Sequence, residues 1–408
     1  MNTMMEYLLQ VTVASPQWSW NTVPSYFHCA NVSGEWSPEA LELIAAKPFV
    51  VFEKIHKLFE APVNDEAEAK IIESCRKVKA INSSTTCLMY VESDWARSEY
   101  SLGHWVASNA PKNALKYTDA AKSGMYVNTS GTQVGAANQS VETFYYAYDF
   151  SSAAMQQHWT ARVTDAVATG HVDGAFVDGD RNGWFNNQAG KANLTKAQLA
   201  AFEAGLNQSY YEMALNLSKA GRPTTIITNY PTHHSMAFSS GGMVERGMAL
   251  DQFKKWSQMK CGLAQETCVL QWHTDHGTGA AFVPTLAQFL LGVYEGAWFG
   301  VGEGWSGVGA DACAAWLHPD TEAAGGAAPK EYTNALGAPL GDYVTKNNSE
   351  FGLVMTRKFA SGTKVYVGHN PKVPCVGKGK VKCTVGHCIF WNNGEVSADN
   401  ATLCEADF

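Results

Sequence analysis

The chain has 408 residues, of which 46% are hydrophobic and 17% charged, enough apolar material for a large core and too little charge for a disordered chain. Its 38 acidic and 30 basic residues leave a net charge of -8. The densest basic cluster, Lys378-Gly-Lys380-Val-Lys382, is too short to track a phosphate backbone, so nucleic acid is not expected as a partner. No stretch reaches 18 uninterrupted apolar residues, so no transmembrane helix is expected.

Residues 1–20 form an N-terminal segment. Met5–Ala14 is mildly apolar, lacks a basic start and carries Glu6 and Gln10, so it reads as no more than the remnant of a secretion signal. From there, short apolar runs alternate with helical patterns, the mark of βα units and a parallel sheet. Eight strands are predicted, at residues 25–29, 49–54, 86–91, 172–178, 224–229, 242–246, 268–273 and 296–301. Helices are predicted between them. Ser37-Pro38-Glu39-Ala40 opens the first with a capping serine and an N-terminal proline. Others follow over 64–80, 151–168, 195–220, 250–260 and 283–294. No GxGxxG turn follows the first strand, which argues against a dinucleotide-binding sheet. The expected fold is α/β: a (β/α)8 TIM barrel over residues 21–345. A small disulfide-stapled β module is expected over 346–408, with strand-like runs at 352–356, 363–368 and 387–391. Two loops interrupt the alternation. Residues 96–142, after the third strand, are polar and suit a lid or cleft wall, and 306–345 form a Gly/Ala/Pro-rich connection.

The compartment is read from cysteines and sequons. There are ten cysteines and no CxxC pair, an even set that fits disulfides rather than a zinc ribbon. Four of the ten lie in the last 34 residues. Nine Asn-x-Ser/Thr sequons, among them Asn31, Asn82, Asn207, Asn216 and Asn347, favour a secreted glycoprotein, although Asn- and Ser-rich loops also make sequons by chance.

Barrel chemistry sits at the C-terminal strand ends. The predicted ends deliver Glu53, Glu92, Asp178-Gly-Asp180, Asn229-Tyr230, Glu245-Arg246, Gln271-Trp272-His273 and Glu303. Carboxylates flanked by aromatics suit glycosidic cleavage, which needs one carboxylic acid for the leaving oxygen and one carboxylate for attack or for activating water. Trp95, Trp184, Tyr230, Trp272 and Trp305 are candidate sugar platforms, each with core packing as the plain alternative. Glu92 and Glu303 rival Glu245 as the partner acid. Asp180 fits a second acid, a metal ligand or an Asx turn, and Asp173 fits a structural cap at the strand start. His273-Thr274-Asp275-His276 offers another route, a metal-dependent hydrolase or phosphodiesterase. There is no GxSxG for a serine nucleophile.

The run Gly170-His-Val-Asp173-Gly174-Ala-Phe-Val-Asp178 resembles the fourth-strand motif of barrel glycosidases related to the endo-α-1,4-polygalactosaminidases. Tyr148-Asp149 before a helix bearing Trp159 agrees with it. So do Leu336–Gly341, Met355–Phe359 and Gly362–Val367 near the end. The resemblance covers residues 140–180 and 335–370, and one departure is the shifted Asn370-Pro371. It implies that Asp178 is a catalytic carboxylate. Pairing it with Glu245 resembles the fourth-and-sixth-strand arrangement of α-galactosidase-like barrels. The expectation is a secreted, monomeric glycoside hydrolase acting on a poly- or oligosaccharide, without a cofactor. A barrel that binds carbohydrate without catalysis is the non-enzymatic alternative.

Overall fold

The structure, a computed structural model, describes residues 16–31, 35–53, 67–93, 95–97, 145–179, 195–219, 225–229, 231, 233–245, 250–274, 282–301, 306–307, 330–369 and 384–399. Eight parallel strands run in chain order: β1 Phe27–Asn31, β2 Phe49–Phe52, β3 Thr86–Glu92, β4 Gly174–Asp178, β5 Thr225–Asn229, β6 Gly241–Val244, β7 Val269–Thr274 and β8 Ala297–Val301. Each pairs with the next. The sheet closes where Ser25 bridges Phe299 in parallel, with Tyr26 N–H donating to Phe299 O and Phe299 N–H to Pro24 O. Ser306–Gly307 extends that closure against Ala30 and Asn31. All eight predicted strands are present, displaced by a residue or two at their ends.

The helices are α1 Pro38–Ala45, α2 Ala67–Ile81, α3 Ala153–Ala168, α4 Lys196–Lys219, α5 His233–Met236, α6 Leu250–Gln258 and α7 Phe282–Gly292. Ser37 caps α1 as its sequence implied, its Oγ accepting from Ala40 N–H at 3.2 Å. The four-residue α5 is too short to leave a periodic signal. Ahead of α3, Trp95–Arg97 pairs antiparallel with Tyr145–Ala147, holding together the two ends of the long third connection.

Gly174 shows why the fourth strand opens on Asp-Gly. Its φ is 150°, and a Cβ there would sit 1.9 Å from the Thr225 carbonyl oxygen. Only glycine lets β4 and β5 approach so closely. The preceding Asp173 is scaffold. Its Oδ2 accepts from Cys87 N–H at 2.8 Å and pairs with Lys79 at 2.7 Å.

Among the described residues packing divides into a small apolar cluster of Phe351, Val354, Tyr366 and Cys388 in the C-terminal region and two large ones. One fills the barrel and the faces of α1 to α4, with Tyr26, Phe49, Phe176 and Trp298 inside the strands. The other joins α6, α7 and the outer faces of β7 and β8 to an antiparallel C-terminal sheet. That sheet has the order β9 Val344–Asn348, β10 Gly352–Lys358, β11 Lys364–His369, β12 Thr384–Phe390 and β13 Val396–Ala398. β9 and β13 were not foreseen; β9 is an exposed, polar edge with no apolar alternation to mark it.

Two disulfides join described residues, Cys75–Cys87 between α2 and β3 and Cys261–Cys268 across a hairpin before β7. One sequon needs correction. Asn31 is fully buried at the end of β1 and its amide donates to Glu35 O at 3.2 Å, so the folded protein offers no room for a glycan there. Among the described residues no helix is long and apolar enough to cross a membrane.

Candidate active site

Strand alternation decides which side chains enter the barrel. On β3, Tyr90 and Glu92 share a face. On β4, Phe176 points inward against His28, so Asp178 follows it one step nearer the C-terminal rim. On β6, Met243 meets Tyr26 inside the barrel, so Glu245 lies above it. Glu92, Asp178, Asn229 and Glu245 are therefore brought to one inner rim.

Their contacts form a chain. The Tyr90 hydroxyl lies 2.5 Å from Asp178 Oδ2 and 2.9 Å from Glu92 Oε2. The Asn229 amide nitrogen donates to Asp178 Oδ1 at 2.8 Å and to Glu245 Oε1 at 2.9 Å. Asp178 is thus the central member, held from both sides. Its Oδ1 also accepts from Gly179 N–H at 2.9 Å; Gly179 has a φ of 88°, the conformation that turns its N–H back onto the carboxylate. Ser93 ties the Asp178 carbonyl through its N–H at 2.9 Å and its hydroxyl at 2.8 Å. Because Asn229 joins them, the two bonded oxygens of Asp178 and Glu245 are no further apart than those bonds laid end to end, about 5.7 Å.

Exposure separates the three acids. Asp178 and Glu245 are half-buried and open to solvent, whereas Glu92 is buried and its backbone carbonyl is fixed by Trp159 Nε1–H at 2.8 Å. Behind Glu92 lies a buried pair, Arg162 with Glu68; Tyr148, which bonds Arg162, is raised above the ordinary phenol range mainly by burial. Tyr26 is raised too, by burial first, then by the charges of Glu245 and Tyr332. It stays a neutral phenol beneath the site. Glu53, just past β2, bonds His28 at 2.9 Å with both side chains buried.

The remaining candidates divide as follows. His273 is buried on the inner face of β7. Trp272 is corrected: it is fully buried on the opposite face, packed against Phe253, Phe289 and Phe299 under α6 and α7, and is core rather than a sugar platform. Asp180, Trp184, Tyr230, Asp275, His276, Glu303 and Trp305, and the Trp95 side chain, lie outside the described residues. Among the described residues no group of three His, Cys, Asp or Glu side chains is placed to hold a metal. Tyr90 was missed, although its spacing from Glu92 puts both on one face; inside an apolar strand a tyrosine reads as core.

The profile of hypothetical glycosyl hydrolase family 15 matches residues 79–363. No curated protein matches the chain. Solved structures with a similar chain path include a cyclic α-maltosyl-(1→6)-maltose hydrolase from Arthrobacter globiformis, at 9% identity over 94% of this chain and 99% of that one, with a TM-score of 0.45. A noncanonic maltogenic α-amylase from Thermotoga neapolitana matches at 9% identity over 92% and 93%, with a TM-score of 0.47. A cycloisomaltooligosaccharide glucanotransferase from Paenibacillus sp. matches at 12% identity with a TM-score of 0.36; 86% of this chain is covered, but only 46% of the glucanotransferase.

Proposed function

The chain belongs to hypothetical glycosyl hydrolase family 15, and from that footing we propose that it cleaves O-glycosidic bonds of a poly- or oligosaccharide, with Asp178 as nucleophile and Glu245 as general acid and base. The observation that carries this reading is the shared amide of Asn229, which holds two solvent-accessible carboxylates at a fixed short separation. Carboxyl groups about 5 to 5.5 Å apart leave no room for a water between acid and sugar, so the spacing supports retention through a glycosyl–enzyme ester rather than inversion.

The roles follow from the contacts. Asp178 accepts bonds from Asn229, Gly179 and the Tyr90 hydroxyl, which stabilise its anion and aim it. Glu245, whose charge is felt by the Tyr26 phenol beneath it, is the other solvent-accessible carboxylate of the pair and takes the role of proton donor to the leaving oxygen. Glu92 is too buried to touch a sugar and positions Tyr90. The motif similarity over residues 140–180 and 335–370 favours an amino-sugar or galactoside-type polymer of the kind cut by endo-α-1,4-polygalactosaminidases. Disulfides and exposed sequons support action outside the cytosol.

The test is a glycan and aryl-glycoside panel with Asp178→Asn and Glu245→Gln. Asp178→Asn should lose activity on every substrate. Glu245→Gln should lose it on sugar leaving groups and keep far more on 2,4-dinitrophenolate, which needs no proton. Equal retention of activity in Asp178→Asn rejects the assignment.

A further inference from the structure

At the opposite, N-terminal end of the barrel lies a cavity of about 220 Å³. It is bounded by Pro24 and Ser25 ahead of β1, Lys47 and Pro48 ahead of β2, Trp298 of β8, and Tyr332. That volume is the liquid share of about seven waters, room for a small molecule and not for a polymer.

Lys47 is 8% exposed. Its ammonium donates to Ser25 Oγ at 2.9 Å and stands 3.8 Å from the centre of the Tyr332 ring. A buried charge is costly unless an opposite charge meets it, and no carboxylate among the described residues does so here. Trp298, 1% exposed, lines the same cavity, and its indole N–H, buried beside it, has no hydrogen-bond partner. Such buried donors are normally satisfied.

We infer that this cavity is a binding site for a small monocarboxylate, its anion paired with the Lys47 ammonium and its hydrocarbon part against the Trp298 and Tyr332 rings. One negative charge matches one buried ammonium; a phosphate dianion would leave a second charge buried and unpaired. The apolar walls of Trp298, Pro24 and Tyr332 suit the hydrocarbon part of the acid.

The site is pH-dependent with a fixed sign. Burial lowers Lys47 to about 7, so the free cavity loses its positive charge as the pH rises through 7. A bound carboxylate favours the ammonium and takes up a proton on binding. Of the other titratable groups around it, Tyr332 faces the ammonium through its ring, and Glu331 accepts from Ser397 Oγ at 2.8 Å. Tyr26 beside Ser25 stays neutral, and Glu39 and Glu42 of α1 are exposed.

Calorimetric titration of the full chain with benzoate tests this, at pH 6.0 and 8.5 and in buffers of different ionisation enthalpy. Expected are saturable one-to-one binding at pH 6.0 with little proton uptake, about thirtyfold weaker binding at pH 8.5 with uptake of close to one proton, no binding of the neutral isostere benzamide, and loss of binding in Lys47→Met. Absence of saturable binding by both benzoate and acetate at pH 6.0, equal binding of benzamide, tighter binding of inorganic phosphate, or an affinity indifferent to pH would overturn it. The pH, benzamide and phosphate comparisons use the wild-type chain and stand even if Lys47→Met does not fold.

Discussion

Asp178 and Glu245 are bonded to the same nitrogen, the Asn229 amide, at 2.8 and 2.9 Å. The amide has two hydrogens and spends one on each carboxylate, so it sets their separation and offsets their repulsion at once. Asn229→Ala removes both donors without adding bulk. By the scale of a lost preorganised donor, kcat should fall about a hundredfold or more while KM changes little. A drop confined to KM would mean that Asn229 binds sugar instead.

Tyr90 has one hydroxyl hydrogen and two carboxyl contacts. The shorter contact is the donation to Asp178, and Glu92 holds the hydroxyl from its other side. Donation to the carboxylate stabilises and aims it. In Tyr90→Phe that support is gone, and kcat/KM should fall about tenfold or more. An unchanged kcat/KM would remove Tyr90 from the nucleophile's environment.

Arg357 anchors the C-terminal sheet to the barrel. From β10 its guanidinium reaches the carbonyls of Leu291 at 2.9 Å and Val293 at 2.7 Å, at the end of α7, and its Nε–H reaches Gly341 O at 3.1 Å. A cation at a helix C-terminus also meets the favourable end of the dipole. Arg357→Met leaves buried carbonyls unsatisfied and should cost about 3 kcal/mol in urea unfolding. Arg357→Lys should recover only part, because a point charge cannot fork to several carbonyls.

Much of the barrel was legible because each strand is an apolar run ended by a polar residue, and the connecting helices keep their period and caps. The inner rim was legible for the same reason: Asp178, Asn229 and Glu245 each end such a run. What the runs cannot show is which face turns inward. β7 is buried on both faces, with Gln271 and His273 on one and Leu270 and Trp272 on the other, so Trp272 and His273 looked equally available, and only packing under α6 and α7 separates them. Tyr90 was hidden by the same ambiguity. Asn31 shows a different limit, since a sequon motif carries no information about burial.

Asn31 therefore gives a direct check. Expressed through a eukaryotic secretory pathway, the protein should carry glycan at the exposed Asn216 and Asn347 and none at the buried Asn31, read by glycopeptide mass spectrometry. Full occupancy at Asn31 would contradict the placement of β1.

The most direct test of the catalytic pair is the anomer of the first product, followed by proton NMR from the first seconds on the best substrate of the panel, before mutarotation. Asp178 and Glu245, with their bonded oxygens within about 5.7 Å, predict retained configuration, lost in Asp178→Asn. An inverted first product would show that a water fits between acid and sugar, and would contradict the double-displacement account.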